Sequence, residues 1–394
     1  MINKKQDKWI IKSLLDTDIY KYSMLQFMYK HEWDKPAKYI FKNRSSKKLG
    51  GIIDPRELKS QINNVAELSY SEDEYNYLLS LGFCPDFAES LIRGDFDMSA
   101  DNVIIDVVDD ELVIEIEGPV QNIMMWETFI LSIISELYTN ACAEFDYVEQ
   151  GRKNFLEKVK RLPICSIVDF GTRRRASALM QEYIIRLFQC CRQYHLKGTS
   201  NLMFAKKYNL TPVGSMAHEV MQIAQVEYPE LETCQQLFLM DWLQMYPTSI
   251  VLTDTLGIDK FCQDMTPYLI DNIQGYRHDS GSIDEWLNKI DKLSDRNIKT
   301  KIMFSDGVTF DRIDQILDLV ARKRGTALLE KYEAIFGIGT NLTNDIGIES
   351  PNIVIKIVEY DGKPVAKISD SPGKTMCQDE EYLKKLKKVC NYNK

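Results

Sequence analysis

KIMFSDGVTFDRIDQILDLVA (301–321) is the stretch whose reading decides the fold. A short apolar run ends at Phe304, Ser305-Asp306-Gly307 makes a polar turn, and a helical pattern follows from Asp311 to Ala321. The same unit recurs on either side. ICSIVDF (164–170), SIVLTD (249–254) and AIFGIG (334–339) are apolar runs that place an acid or a glycine close to the last apolar residue. Helical patterns cover Arg173 to Cys191, Ser215 to Gln225 and Asp284 to Leu293. Strands alternating with helices predict an α/β fold with a parallel sheet. Some 200–250 residues of this rhythm predict an irregular (β/α) barrel, with its chemistry on the loops after the strands.

The first 150 residues read differently. A helix is expected over Asp16 to Lys30, a short strand over Lys38 to Lys42, and a hairpin over Val103 to Glu117 turned at Asp109-Asp110. Gly118-Pro119 ends the hairpin, and an apolar helix follows from Gln121 to Tyr138. The expected organisation is an N-terminal α+β domain over 1–150 and an α/β-barrel catalytic domain over 151–394. A second hairpin, IVIKIVEYDGKPVAKIS (353–369), is turned at Asp361-Gly362 and breaks the barrel rhythm. It and the C-terminal segment (351–394 together) should pack outside the barrel.

The 394 residues are 44% hydrophobic and 27% charged, an ordinary globular balance that excludes a disordered chain. A net charge of −9 argues against broad nucleic-acid binding, so any bound anion is drawn by a local pocket. The nine cysteines show no CxxC pair and no metal spacing, and read as small buried hydrophobes in a reducing compartment. The apolar stretch Ile123 to Tyr138 is interrupted by Glu127 and Glu136 and is too short to span a bilayer. The expected location is the cytoplasm.

Chemistry-bearing residues gather at the strand ends. His218 lies in VGSMAHEV, where Ser215 as N-cap would put it at the third helical position. A helix N-terminus disfavours imidazolium and favours an anion, including a phosphoryl group on the ring; a merely capping histidine is an equal reading. Arg277, His278 and Asp279 precede a Ser280-Gly281 turn that could grip a ribose with its phosphate or metal, or be a surface ion pair. In FGTRRR (170–175) an arginine could take phosphate or carboxylate while Phe170 stacks a flat ring. Three consecutive side chains cannot share one pocket, so Arg174 or Arg175 should be surface. The small residues of SDG (305–307) and GIGTN (337–341) suit a phosphate cradle. Asp16, Asp18 and Tyr20 cluster near one end of the chain, as do Arg44, Lys47 and Lys48; Lys356, Lys367 and Lys374 read either way, and KKLKK reads as an exposed helix face.

Ten of these segments occur in a familiar order: DTDIYKYSM, YIFKNRS, DFGTRRR, GTSN, GSMAHE, LTDT, YRHDSG, FSDG, FGIGTNL and VAKISDSPGKT. The chain resembles the nicotinate phosphoribosyltransferase family from about Leu14 to Cys377. The resemblance implies transfer of phosphoribosyl from 5-phosphoribosyl 1-diphosphate to nicotinate in NAD salvage. It also implies ATP as cosubstrate, coupled through a phosphohistidine, with substrate-bound Mg²⁺ and a homodimer with shared active sites. Carried over position by position, Phe170 and Tyr20 resemble the rings about the pyridine, with Tyr20 contributed by a partner subunit, and Asp18 the acid that helps place it. Arg173 matches the arginine of the base and ribose site, and His218 the phosphorylated histidine. Asp254, Arg277 and Asp279 resemble the group about ribose, diphosphate and magnesium; Asp306, Gly307, Gly339 and Thr340 the phosphate cradle; Arg44 and Lys356 cations reaching phosphates. No residue set is expected to hold a resident metal.

Ser200 stands where a nicotinamide-using relative carries an acid, so Thr199 and Ser200 are expected to donate to the nicotinate carboxylate. Glu219 either orients the ring or complements the helix dipole, the second being favoured. The competing readings are a nicotinamide phosphoribosyltransferase, a barrel aldolase or isomerase for phosphosugars, and a nucleotide sensor without catalysis. The aldolase or isomerase would normally need a catalytic lysine or a Glu/His base pair at strand ends, and none of the strand-end turns quoted offers a lysine.

Overall fold

The computed structural model describes residues 8–192, 195–293, 300–324, 332–371 and 373–392. Two sheets organise it. The first is antiparallel, built from β1 (Pro36–Asn43), β2 (Val103–Val108), β3 (Glu111–Pro119), β10 (Ile353–Tyr360) and β11 (Lys363–Pro364), in the order β11-β10-β1-β3-β2. The second is parallel: β4 (Ser166–Asp169), β5 (Leu196–Thr199), β6 (Ile250–Leu252), β7 (Gly275–His278), β8 (Thr300–Phe304) and β9 (Tyr332–Ile338), in the order β5-β4-β9-β8-β7-β6. Parallel pairing puts all six carboxyl ends on one edge, which collects the polar turns read from the sequence. The described ladders make a six-stranded parallel sheet, and none among the described residues joins β5 to β6.

The antiparallel sheet takes a strand from each end of the chain. β10 pairs with β1 from Ala37↔Tyr360 to Asn43↔Ile353. The expected late hairpin is thereby cut short. Asp361 and Gly362 have φ of 53° and 66°, as a tight two-residue turn requires, but only two residue pairs follow. Pro364 has no N–H to extend the ladder, and the chain leaves the sheet to run back toward the parallel one. The early hairpin forms as expected, with Asp109 and Asp110 at φ of 51° and 64°.

Three helix boundaries differ from expectation. The helix after FGTRRR begins as a single 3₁₀ turn, Thr172–Arg174, and resumes only at Ala178–Arg192. Arg175 between them is extended and turns its side chain inward, so no helix can pass through it. The expected helix 121–138 is two pieces, Val120–Ile123 and Trp126–Cys142. The helix bearing His218 spans His218–Glu227 with Ala217 at the N-cap. Ser215 instead accepts from Arg277, so His218 is the first helical residue and not the third. Among the cysteines only Cys234 and Cys390 are buried; Cys190 and Cys191 are exposed, near the end of helix Ala178–Arg192. No described helix is long and apolar enough to cross a membrane.

Candidate active site

The carboxyl edge of β6 and β7 and the start of helix His218–Glu227 converge on one cluster. Asp254 follows β6, and Arg277 and Asp279 flank the end of β7. His218 Nδ1 lies 3.0 Å from Thr255 Oγ1, and Nε2 lies 3.1 Å from Asp279 Oδ2 and 3.7 Å from Asp254 Oδ1. Ser280 Oγ donates to Asp254 Oδ2 at 2.5 Å, and Ser305 Oγ to Asp279 Oδ1 at 2.7 Å. Arg277 reaches Asp279 Oδ1 at 3.2 Å and Ser305 Oγ at 2.8 Å, while its guanidinium carbon stands 5.8 Å from the centre of the Phe170 ring. It thus bridges the histidine cluster and the aromatic wall.

One member was left open by the sequence. Lys367 Nζ sits 2.7 Å from His218 Nε2 and 2.9 Å from Asp254 Oδ2, and is buried. It comes from the segment after the aborted hairpin, far from any strand-end turn. Its only signal in the sequence was a lysine alternating with apolar residues. Lys374, also left open, meets Asp306 Oδ1 at 2.5 Å. So the cluster does hold a lysine, delivered by neither strand nor strand-end turn.

Electrostatics follow from this packing. Burial lowers the His218 pKa, and the Lys367 ammonium lowers it further, against the pull of Asp254 and Asp279. Burial alone would raise Asp279, but Arg277, with His218 and Lys367, holds it well below the usual carboxylate range. Asp254 is likewise lowered: Lys367 and His218 outweigh its burial. His218, Asp254 and Asp279 present ligand atoms within 4.8 Å of one another, and buried Asp254 Oδ1 has no hydrogen-bond partner among the described residues. Two carboxylates with a spare oxygen fit a hard cation carried in on phosphates.

A second wall lies under the aromatic residues. Phe170 packs over β9 at Gly337, where a Cβ would lie 2.4 Å from the ring. Arg173 lies 5.9 Å above the Tyr20 ring of its own chain, 3.7 Å from Asp18 and 3.5 Å from Glu127. Lys356 reaches Glu127 at 3.6 Å. Behind them Lys21, fully buried, is clamped between Glu127 at 2.8 Å and Glu219 at 2.7 Å. Glu219 therefore neither orients the imidazole nor merely complements a dipole; it anchors a buried cation.

Other expectations fare unevenly. Of the three arginines, Arg173 faces the site, Arg174 turns half-exposed to Asn352, and Arg175 is wholly buried in a two-bond pair with Asp16 at 2.7 Å. Thr199 Oγ1 donates to Asp169 at 2.7 Å and Ser200 Oγ to Asp18 at 2.6 Å. Both hydroxyl protons are committed inside the protein, so neither is free for a ligand carboxylate in this arrangement. His278 is buried against Trp286 and Phe304, which makes it a packing residue between Arg277 and Asp279. Gly307, at φ 55°, follows Asp306, and Gly339 caps the short turn Thr340–Thr343, both at the same sheet edge. Arg44 is exposed, and its amide bonds to the Asn352 carbonyl.

Cations, carboxylates and small-residue turns along the carboxyl edge of a parallel sheet define an α/β protein built to handle a small phosphorylated ligand. Residues 165–394 match the nicotinate phosphoribosyltransferase (NAPRTase) family, and residues 15–135 match the N-terminal domain of that family. The chain is 37% identical over 398 residues to the nicotinate phosphoribosyltransferase of Burkholderia mallei, covering 96% of each. It is 36% identical over 400 residues to that of Neisseria meningitidis, covering 96% of this chain and 97% of the other. The crystal structure of nicotinate phosphoribosyltransferase from Vibrio cholerae superimposes with a TM-score of 0.88 at 30% identity, over 97% of this chain and 94% of that one. The chain belongs to the nicotinate phosphoribosyltransferase family.

Proposed function

We propose that this protein transfers the phosphoribosyl group of 5-phosphoribosyl 1-diphosphate to nicotinate, releasing diphosphate, and couples the transfer to ATP through a phosphate carried on His218. The product, nicotinate mononucleotide, places the reaction in NAD biosynthesis. The observation that carries the reading is a buried histidine, its pKa lowered, set among Asp254, Asp279 and Lys367, with Arg277 spanning from there to Phe170.

The pyridine nitrogen is already a nucleophile, so no general base is needed at the bond-forming atom. Phe170 and Tyr20 confine the ring, and Arg173, flanked by Asp18, meets its carboxylate; alignment supplies much of the rate. With Thr199 and Ser200 engaged internally, preference for nicotinate over nicotinamide falls to Arg173. As the glycosidic bond breaks, positive charge grows on the ribose carbon and negative charge on the departing diphosphate. Asp254 and Asp279 suit the first, and Arg277, Lys367 and Lys356 the second. Magnesium, held by the substrate phosphates and by Asp254 and Asp279, would supply further charge neutralisation. Gly307, Gly339 and Thr340 would cradle the 5′-phosphate, with Asp306 on the ribose; Arg44 lies farther out as a phosphate cation. The parallel sheet reads as the wall of an irregular barrel, in a cytoplasmic homodimer with shared sites.

The test is nicotinate-dependent diphosphate release with and without ATP, against nicotinamide as competitor. Nicotinate should be preferred by about tenfold or more in kcat/KM, and His218→Asn should abolish the stimulation by ATP while slow transfer persists. A His218→Asn protein that keeps full stimulation would exclude the phosphohistidine.

A further inference from the structure

Glu127 uses its two carboxylate oxygens differently. Oε2 lies 2.8 Å from the fully buried Lys21 ammonium, which also reaches the Met124 carbonyl at 2.8 Å and Glu219 at 2.7 Å. That side is an internal ion pair. Oε1 instead stands 3.5 Å from Arg173 Nη1 and 3.6 Å from Lys356 Nζ. Both separations exceed those of a tight charge-assisted bond. An arginine has five N–H donors and a lysine three, so one loose contact to a shared oxygen leaves donors for a ligand anion.

The two cations come from different sheets. Arg173 lies in the turn after β4 of the parallel sheet, and Lys356 is on β10 of the antiparallel one. Both are half-buried. Glu127, 3% exposed, sits in the first turn of helix Trp126–Cys142 and faces both. The same helix holds the backbone that presents Arg173: Ser132 Oγ donates to the Thr172 carbonyl at 2.9 Å, and Ser135 Oγ to the Arg175 carbonyl at 2.7 Å. Asp18 flanks the other side of Arg173, 3.7 Å from Nε. Burial lowers the Lys356 pKa, Glu127 opposes that, and the Arg173 charge adds to it, so the two cations feel one another. Without a carboxylate shared by both, they would repel each other out of their present places.

We propose that Glu127 is a positioning residue for substrate binding: its Oε1 holds Arg173 and Lys356 at a set separation, so that a base carrying a carboxylate and a sugar carrying phosphates are gripped in register. The proposal rests on the reading of Arg173 as the cation for nicotinate and of Lys356 as a phosphate cation. A mere counter-ion has the opposite signature. Deleting a negative charge beside two cations strengthens their pull on anions, whereas deleting the group that places them weakens it.

Glu127→Gln keeps the side chain's size and an oxygen for Lys21. Isothermal titration with nicotinate, and separately with 5-phosphoribosyl 1-diphosphate and magnesium, should show both affinities falling by about tenfold or more, the equivalent of one charge-assisted hydrogen bond. In initial-rate kinetics KM for both should rise while kcat holds within about threefold, because saturating ligand draws the cations into place. A fold loosened at large would lower kcat through the active fraction and leave KM alone. Unchanged or tighter binding, a fall in kcat with KM unchanged, or weakening of one ligand alone would overturn the proposal. If Glu127→Gln does not fold, Glu127→Asp decides, since it keeps the charge opposite Lys21 but withdraws it by one methylene from both cations. Weaker binding of both ligands by that variant upholds the proposal, and wild-type affinities end it. A wild type that binds both ligands yet transfers nothing is a separate result: it would sink the proposed reaction and leave the binding comparison standing.

Discussion

His218 and Arg175 show what one residue can and cannot reveal alone. His218 stood out because histidine beside a helix start has few roles, yet its partners come from three other parts of the chain. Arg175 looked like the spare member of a run of three and proved to be wholly buried, because Asp16 satisfies it with two bonds. Burial of neutral histidines has a consequence for stability. His218 and His278 are both lowered, chiefly by burial, so below about pH 6.5 the unfolded chain takes up protons that the folded one refuses. Stability is then lost as pH falls through the ordinary histidine range, by at most about 1.4 kcal/mol per pH unit for each ring. Thermal unfolding between pH 7 and 5 should show a falling midpoint, and His218→Asn should flatten it; an unchanged slope would mean that the ring protonates freely in the fold. Asp254 and Asp279, both lowered, contribute stability above the usual carboxylate pKa that is lost only in stronger acid.

Among the elements, the strands were the most legible, because short apolar runs ending in an acid or glycine leave little choice. Their ends also carry the tightest constraint. At Gly337 on β9 a Cβ would fall 2.4 Å from a ring carbon of Phe170. Gly337→Ala should therefore force the ring aside, destabilise the fold by about 1–3 kcal/mol, and raise KM for nicotinate more than it lowers kcat. Denaturant unfolding and initial-rate kinetics check both halves; wild-type stability and KM together would show that Phe170 does not depend on the close approach. The helix starts were less legible. Ser215 has the right chemistry for an N-cap, but Arg277 competes for its hydroxyl, and the helix begins three residues later. Local propensity cannot foresee a partner from another strand.

Across the whole molecule, Lys21 is one buried tie between the chain's two halves. It joins helix Ile19–Lys30 to Glu127 on helix Trp126–Cys142 and to Glu219 next to His218. Removing one partner of a buried ion pair costs about 3–5 kcal/mol, since the other charge remains desolvated. Lys21→Met strands two carboxylates and should cost at least that, read from chemical denaturation; a loss below about 1 kcal/mol would show that water reaches the pair. The sequence by itself determined the parallel α/β sheet, the antiparallel hairpin and the set of strand-end residues, because periodicity and turn chemistry are local. The tertiary structure alone decided that β10 joins β1, that no ladder among the described residues closes the parallel sheet, and that Lys367 joins the strand-end residues Thr255 and Asp279 at His218. Those outcomes depend on which distant groups compete for the same hydrogen bond or the same buried charge, and spacing along a chain carries no record of that competition.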